Sequence, residues 1–206
     1  MTNIIPAVRC LPVFCSMIPM PTHVSADKRS FSQPPACATG SDEEKKIFKA
    51  LQRELTFQFQ HVFPDRLALK TVVIVPSMTL DPEILENVKG HVYYEERMLC
   101  LLMLLRMPQT NIVFVSSLPI DQVTIDYYLH LLPGIPGQHA RQRLTMLSCY
   151  DASARPLTEK ILERPRLINR IRQKISDARH SHLVCFNVAN FERTLAVQLA
   201  IELVCD

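Results

Sequence analysis

Two short runs of apolar, mostly β-branched residues constrain the fold of this chain more than any other feature. They lie at 71–75 (TVVIV) and 111–115 (NIVFV), and serine and proline follow each of them. Such a run, without alternating polar residues, is typical of a strand buried on both faces of a parallel sheet. Similar but weaker runs at Leu144–Ser148 and His182–Phe186 predict two further strands.

Helical patterns lie before and between these runs. The first begins with a capping box, Ser41 to Glu44, and continues to about Phe59. Later patterns predict helices over 81–90, 94–106, 121–132, 156–163, 165–175 and 190–199. Because strands that alternate with helices form right-handed βαβ units, we predict an α/β, three-layer domain with a mostly parallel sheet of about four strands. It occupies residues 41–206.

Residues 1–40 differ in composition from the rest of the chain. They hold six of the fifteen prolines, with much serine, threonine and alanine, so we predict a flexible or poorly ordered leader. Prolines also interrupt its apolar stretch, and no Lys or Arg precedes Arg9, which argues against a signal peptide. The seven cysteines are odd in number and contain no C-x-x-C, which favours reduced thiols and a cytoplasmic location.

Several classes of site are disfavoured by the sequence. Only four glycines occur, and neither G-x-G-x-x-G nor G-x-x-x-x-G-K-[ST] is present, which argues against a phosphate-binding glycine loop. The longest apolar run has eight residues, whereas a membrane span needs about 20. His180 and His182 with Cys185 resemble metal ligands, but a fourth ligand at suitable spacing is missing, so we expect no metal.

Small polar residues follow the predicted strands, where open parallel sheets bind their ligands. Ser77, Ser116 and Asn187 are the candidates chosen on this ground, although the same residue types also suit turns and helix caps. The cluster 93–97 (YYEER) lies before a strongly apolar helix. There, the helix dipole could stabilise the negative charge of Glu95 or Glu96 near the helix N-terminus, or one of them could pair with an arginine across a cleft.

Residues 141–179 carry the clearest charge bias, with eight Arg and two Lys against four acidic residues, a local net charge of +6. Within them, 165–175 is a basic amphipathic helix, which could bind an acidic partner such as calmodulin or simply present a solvated face. No aromatic residues interleave its cations, which argues against nucleic acid. The candidate partner-binding residues are Arg164, Arg166, Arg170, Arg172 and Lys174.

An ordered series of segments resembles the domain that precedes the ATP-grasp fold in carboxylate–amine ligase-like proteins, including the IQ-motif-containing protein H family. The series covers about residues 44–201 and includes 71–77 (TVVIVPS), 115–119 (VSSLP), 131–136 (LLPGIP), 155–160 (RPLTEK) and 162–167 (LERPRL). The resemblance implies a Rossmann-like pre-ATP-grasp domain. It also implies that ATP and magnesium are bound by separate ATP-grasp lobes, expected after Asp206, and not by this chain. We therefore expect a truncated or spliced form; the terminal residues 201–206 also depart from the expected continuation, and no IQ motif is present.

Two functions follow as hypotheses. The first is a non-catalytic, substrate-side or docking domain of an ATP-grasp ligase-like protein, with the ATP-grasp lobes as its partner. The second is a protein-interaction module that uses helix 165–175. A complete enzyme is the least favoured, because no acid/base pair can be assigned. The candidate substrate-binding residues combine the strand-end positions with residues in the family-like segments: Ser77, Glu96, Arg97, Ser116, Asp126, Arg155 and Asn187.

Overall fold

The structure is a computed structural model that describes residues 38–79, 83, 87 and 90–205. Nearly all of the predicted leader 1–40 and most of the predicted helix 81–90 therefore lie outside the described residues.

Five parallel strands form one sheet in the order β3-β2-β1-β4-β5. Val73 at the centre of β1 pairs with Val113 of β2 on one side and with Leu183 of β4 on the other. The strands are β1 (Lys70–Val75), β2 (Thr110–Ser116), β3 (Leu144–Ser148), β4 (Ser181–Cys185) and β5 (Glu202–Cys205). The predicted α/β, Rossmann-like fold is confirmed, and β5 is a strand that the sequence patterns did not predict.

Helices connect the strands and cover both faces of the sheet. The α-helices are α1 (Asp42–Phe57), α2 (Gln122–His130), α3 (Gly137–Gln142), α4 (Leu157–Leu162), α5 (Pro165–Lys174) and α6 (Asn190–Leu199). A π-helical turn, Gln58–Val62, extends α1, and 3₁₀ helices span His91–Arg106 and Ala178–His180. The structure thus adds the short helix α3 to the predicted elements.

Alternate residues of the central strand divide the core into two apolar clusters. Val73 and Val75 face the cluster that includes side chains from α4, α5 and α6. Val72 and Ile74 face the other cluster, with side chains from the 3₁₀ helix 91–106 and from α2. Because successive side chains of a strand point to opposite faces, one continuously apolar strand supplies both clusters and makes the domain three-layered.

In the 3₁₀ helix 91–106, buried leucines recur at every third residue. Leu99, Leu102 and Leu105 are all fully buried in the core. A 3₁₀ helix has three residues per turn, so residues three apart lie above one another and form a single apolar row. This row packs the helix on the sheet and fixes the position of Glu95, which is buried near its amino end.

The predicted capping box fastens α1 to the opposite end of the chain. Ser41 Oγ accepts a hydrogen bond from the Glu44 amide at 3.2 Å, as expected for an N-cap. The buried Glu44 carboxylate reaches back to the Gly40 amide at 2.9 Å and also accepts from Thr194 Oγ1 at 3.1 Å. One carboxylate therefore caps α1 and joins it to α6.

Candidate functional site

The carboxyl ends of all five strands lie at one edge of the sheet, because every strand is parallel to its neighbours. In open α/β sheets, ligands bind outside this edge, typically where the strand order reverses. Here the order reverses between β1 and β4. Ser77, Ser117 and Asn187 follow β1, β2 and β4 at this edge.

The crevice between β1 and β4 is bridged by the protein's own polar groups. The Thr79 amide donates to Asn187 Oδ1 and the Asn187 side-chain amide donates to the Thr79 carbonyl, both at 3.1 Å. Thr79 Oγ1 also donates to Glu192 Oε1 at 2.6 Å, and Glu192 Oε2 accepts from the Ala189 amide at 2.9 Å. These bonds fasten the loop after β1 to the start of α6.

A small cleft lies on the other side of β1, over the carboxyl ends of β1 and β2. It encloses about 20 Å³, which holds one water-sized group. Its walls come from the segments after β1 and β2, the 3₁₀ helix 91–106 and α4, and its lining residues are Pro76, Met78, Tyr94, Glu95, Ser117, Arg155, Leu157 and Lys160.

Ser117 joins a buried acid to a buried amine in this cleft. Lys160 Nζ donates to Ser117 Oγ at 2.9 Å and to the Asp151 carbonyl at 3.0 Å. Glu95 Oε2 accepts from the Ser117 amide at 2.6 Å. Burial raises the pKa of Glu95 and lowers the pKa of Lys160, because it disfavours the charged form of each. The cleft therefore holds two ionisable groups of opposite charge, both shifted towards neutrality.

The rim of the cleft is a chain of ion pairs. Arg155 contacts Glu163 Oε1 at 2.7 Å and Asp151 Oδ2 at 3.4 Å, and Arg164 contacts the same Asp151 oxygen at 2.9 Å. Hydrogen bonds from Ser153, followed by that from Arg164, hold the pKa of Asp151 well below its usual range. The pKa of Arg155 is raised, chiefly by its hydrogen bond to Glu163. The rim is therefore fully ionised at neutral pH.

Three of the predicted substrate-binding residues bond to the loops and caps at the carboxyl edge. The buried Ser77 Oγ accepts from the Thr158 amide at 3.2 Å, at the start of α4. Ser116 Oγ donates to the Leu118 carbonyl at 2.7 Å, within its own turn. Asn187 holds Thr79, as described above. Of the seven predicted residues, Arg155 is the one that lines the cleft.

The structure does not bring the other three predicted residues into the cleft. Arg97 is exposed, and its guanidinium carbon lies 4.4 Å from the centre of the Tyr94 ring. Glu96 is half-buried next to Glu95 but is not among the lining residues. Asp126 lies on α2, where it contacts Arg141 at 3.3 Å.

Sequence reasoning did not select Lys160 and Ser117, and it chose Glu96 where the cleft uses Glu95. A pattern for Lys160 was present, since it follows Leu157 by three positions and precedes Ile161 on the apolar side of α4. Glu95 likewise precedes the buried Met98 by three positions. A charged residue in an apolar stripe is the pattern that could have identified both.

The predicted basic helix 165–175 is observed as α5, and its apolar side is already occupied. Leu167, Ile168 and Ile171 are buried in the core. Two of its candidate cations are also engaged, since Arg164 binds Asp151 at 2.9 Å and Arg172 donates to the Gln198 carbonyl at 2.7 Å. The exposed candidates are Arg166, Arg170 and Lys174.

Within the described ranges, no three His, Cys, Asp or Glu side chains come together in a way that could hold a metal ion. His182 is buried on β4, with its ring edge against Phe63 at 4.7 Å between ring centres.

Among the helices that the structure describes, none combines the length and apolar character needed to cross a membrane.

Comparison with known proteins shows a distant similarity to a ligase. No protein-family model and no solved structure matches the chain. L-propargylglycine–L-glutamate ligase of Streptantibioticus cattleyicolor is 30% identical over an alignment of 124 residues, and the alignment covers 58% of this chain and 25% of the ligase. The chain thus spans about a quarter of this relative. The similarity supports a relationship to ATP-grasp-type carboxylate–amine ligases, and it does not test the predicted kinship with the IQ-motif-containing protein H family.

Proposed function

We propose that this chain is a non-catalytic, substrate-side domain related to ATP-grasp carboxylate–amine ligases. The observation that carries the proposal is the 30% identity over 124 residues with an enzyme whose name describes the ligation of two amino acids. The Rossmann-like fold expected of a pre-ATP-grasp domain agrees with it. In this proposal ATP and magnesium are bound by ATP-grasp lobes, which dock on the carboxyl edge of the sheet. The cytoplasmic location and the kinship with the IQ-motif-containing protein H family remain predictions.

The chemistry of the cleft suits the charged end of an amino acid. Arg155 on the rim presents a planar guanidinium, the group that best matches a carboxylate. Glu95 inside the cleft supplies a carboxylate that an ammonium group can approach. The enclosed space of about 20 Å³ admits one water-sized group, such as the ammonium, so the carboxylate and the side chain of the amino acid would lie at the mouth beside Arg155 and Tyr94. Binding would require Arg155 to exchange Glu163 for the ligand.

A nucleotide assay tests the non-catalytic part of the proposal. The purified 206-residue chain is incubated with ATP, magnesium and L-glutamate, and ADP is measured by a coupled spectrophotometric assay. We expect no release above that of a heat-denatured control, because the cleft lacks a phosphate-binding glycine loop. Release of ADP that depends on L-glutamate would show that the chain catalyses by itself, and the proposal would be wrong.

A titration tests the substrate-side part separately. L-glutamate is added to the wild-type chain and to Arg155→Gln, with binding followed by isothermal titration calorimetry. Removing one charge-assisted contact should weaken binding by about tenfold or more. Arg166→Gln, an exposed arginine on α5, is the matched control and should bind as the wild type does. Equal affinities for the wild type and Arg155→Gln would exclude this cleft as the binding site.

A second candidate function, docking of an acidic protein, is favoured by one observation. Arg166, Arg170 and Lys174 are exposed and follow one another at four-residue spacing, so they lie along one side of α5. The apolar side of α5 is in the core. A partner would therefore contact the basic side alone, unlike calmodulin when it encloses the apolar side of a target helix.

This second function predicts binding that weakens with salt. Immobilised calmodulin, as an acidic probe, is tested against the wild type, Arg166→Glu with Arg170→Glu, and Arg97→Glu as an exposed control. Charge reversal on α5 should abolish binding, whereas the control should retain it. Binding unchanged by the double reversal would end this hypothesis.

A further inference from the structure

A groove at the opposite edge of the sheet brings several cationic side chains together. It lies beside the amino ends of β1, β2 and β3, is open to solvent and has a volume of about 420 Å³, within the range typical of small-molecule sites. None of the described residues that line it is acidic. Its principal lining residues are the cationic side chains of Arg66, Arg106 and Arg143, with His139, Ile135 and Pro108.

Arg143 is held rigidly in this groove. Its Nη1 donates to the carbonyls of Met107 and Thr110 at 2.9 and 3.1 Å, and its Nη2 donates to the carbonyl of Leu105 at 2.7 Å. A guanidinium has five N–H donors, so these three bonds leave two for a ligand. Because its orientation is already fixed, Arg143 would lose little conformational freedom when a ligand binds.

The other two arginines carry charge that the surrounding protein does not neutralise. Arg66 and Arg106 are exposed, and within the part of the chain that the structure describes neither has a carboxylate within ion-pair distance. The acidic neighbour in sequence, Asp65, accepts from the Leu67 amide at 2.8 Å. By contrast, Arg155 at the carboxyl edge is paired with three acidic side chains. The groove is therefore a concave region of uncompensated positive charge.

We infer that this groove binds a small organic phosphate. A phosphate group offers several oxygens that can accept from Arg66, Arg106 and the two remaining donors of Arg143 at once, whereas a carboxylate offers two oxygens and a single charge. The organic part of the ligand would pack on Ile135 and Pro108. This site lies at the edge opposite the cleft and does not depend on the function proposed above.

The test uses the complete chain and two probes, AMP and inorganic pyrophosphate, in isothermal titration calorimetry at low and physiological salt. AMP combines a phosphate with an aromatic base whose faces can pack on apolar side chains, whereas pyrophosphate carries charge alone. We expect saturable AMP binding that is weakened about tenfold or more in Arg66→Gln with Arg106→Gln. Lys49→Gln with Arg53→Gln removes the same charge from exposed side chains of α1 and should leave the affinity unchanged.

Circular dichroism of the unliganded variants verifies that they are folded, which we expect because Arg66 and Arg106 are exposed. Three results would overturn the inference: no AMP binding by the wild type, equal weakening in both double variants, or binding of pyrophosphate without AMP. The second would indicate general attraction to a basic protein, and the third an inorganic anion without the apolar contact.

Discussion

Lys160→Met is the substitution that tests the construction of the carboxyl-edge cleft most directly. The Lys160 side chain is about 1% exposed and donates to Ser117 Oγ and to the Asp151 carbonyl at 2.9 and 3.0 Å. Hydrogen bonds from a charged donor contribute about 1.5–3 kcal/mol each. Methionine fills similar space and removes the cost of burying an ammonium group, which offsets part of this loss. We expect the free energy of unfolding to fall by about 2–3 kcal/mol.

Urea unfolding at pH 7, followed by circular dichroism, measures this loss. For a domain of this size, it corresponds to a decrease in Tm of roughly 4–12 °C. Lys174→Met is the matched control, because Lys174 is exposed on α5 and its replacement should change stability by no more than about 0.5 kcal/mol. If Lys160→Met were no more destabilising than this control, the buried amine would not support the cleft and the reasoning would fail.

The pH dependence gives a second measurement on the same cleft. Because burial lowers the pKa of Lys160 from 10.5, the unfolded chain binds more protons between the two values, so stability rises with pH there. Burial raises the pKa of Glu95 from 4.5, so the folded chain binds more protons above pH 4.5 and stability falls as pH rises through that window. Lys160→Met should remove the rise in stability below pH 10.5, and Glu95→Gln should remove the fall in stability as pH rises above 4.5. If the unfolding free energies of both variants kept the pH dependence of the wild type, the two changes could not be assigned to Lys160 and Glu95.

Three further predictions concern the framework around the site. Asn187→Ala leaves the Thr79 amide and carbonyl without their partner and should lower the unfolding free energy by about 1–2 kcal/mol in urea; an unchanged midpoint would show that this bridge is not needed. Burial lowers the pKa of His182 to about 4 from 6.5, so stability should fall by about 2–3 kcal/mol between pH 7 and pH 4.5, and His182→Leu should not show this part of the loss. Ser41→Ala should cost about 1 kcal/mol through loss of the N-cap of α1, and a loss below 0.3 kcal/mol would argue against the cap.

The strands were predictable wherever burial on both faces produced an uninterrupted apolar run. The predicted 71–75 is one residue shorter than β1 at its start, and the predicted 111–115 is one residue shorter than β2 at each end. The fifth strand was missed because it is short and begins with Glu202, a charged residue that breaks the pattern. That carboxylate is buried and accepts from the Gln58 side chain at 2.6 Å. A partner 144 positions away cannot be deduced from local periodicity.

The location of the cleft was predictable, but most of its residues were not. Parallel strands bring their carboxyl ends to one edge of the sheet, and open α/β sheets bind their ligands outside that edge. Whether Glu95 or Glu96 faces inwards depends on the turn of its helix, which is 3₁₀ where α-helical spacing was assumed. Lys160 gains its role from Ser117, 43 positions away, through tertiary packing alone.

The crevice at the reversal of strand order is poorly suited to the phosphate of a nucleotide. In Rossmann-like folds, phosphate binds there at a helix N-terminus, attracted by free amides and the helix dipole. Here the buried Glu192 places its own carboxylate at the N-terminus of α6, accepting from the Ala189 amide and from Thr79. A phosphate group would have to displace this carboxylate or lie next to its negative charge. The adjoining cleft, by contrast, is lined by an acid, Glu95, and by two cations, Arg155 and Lys160. We therefore expect the carboxyl edge to bind a zwitterion in preference to a polyphosphate.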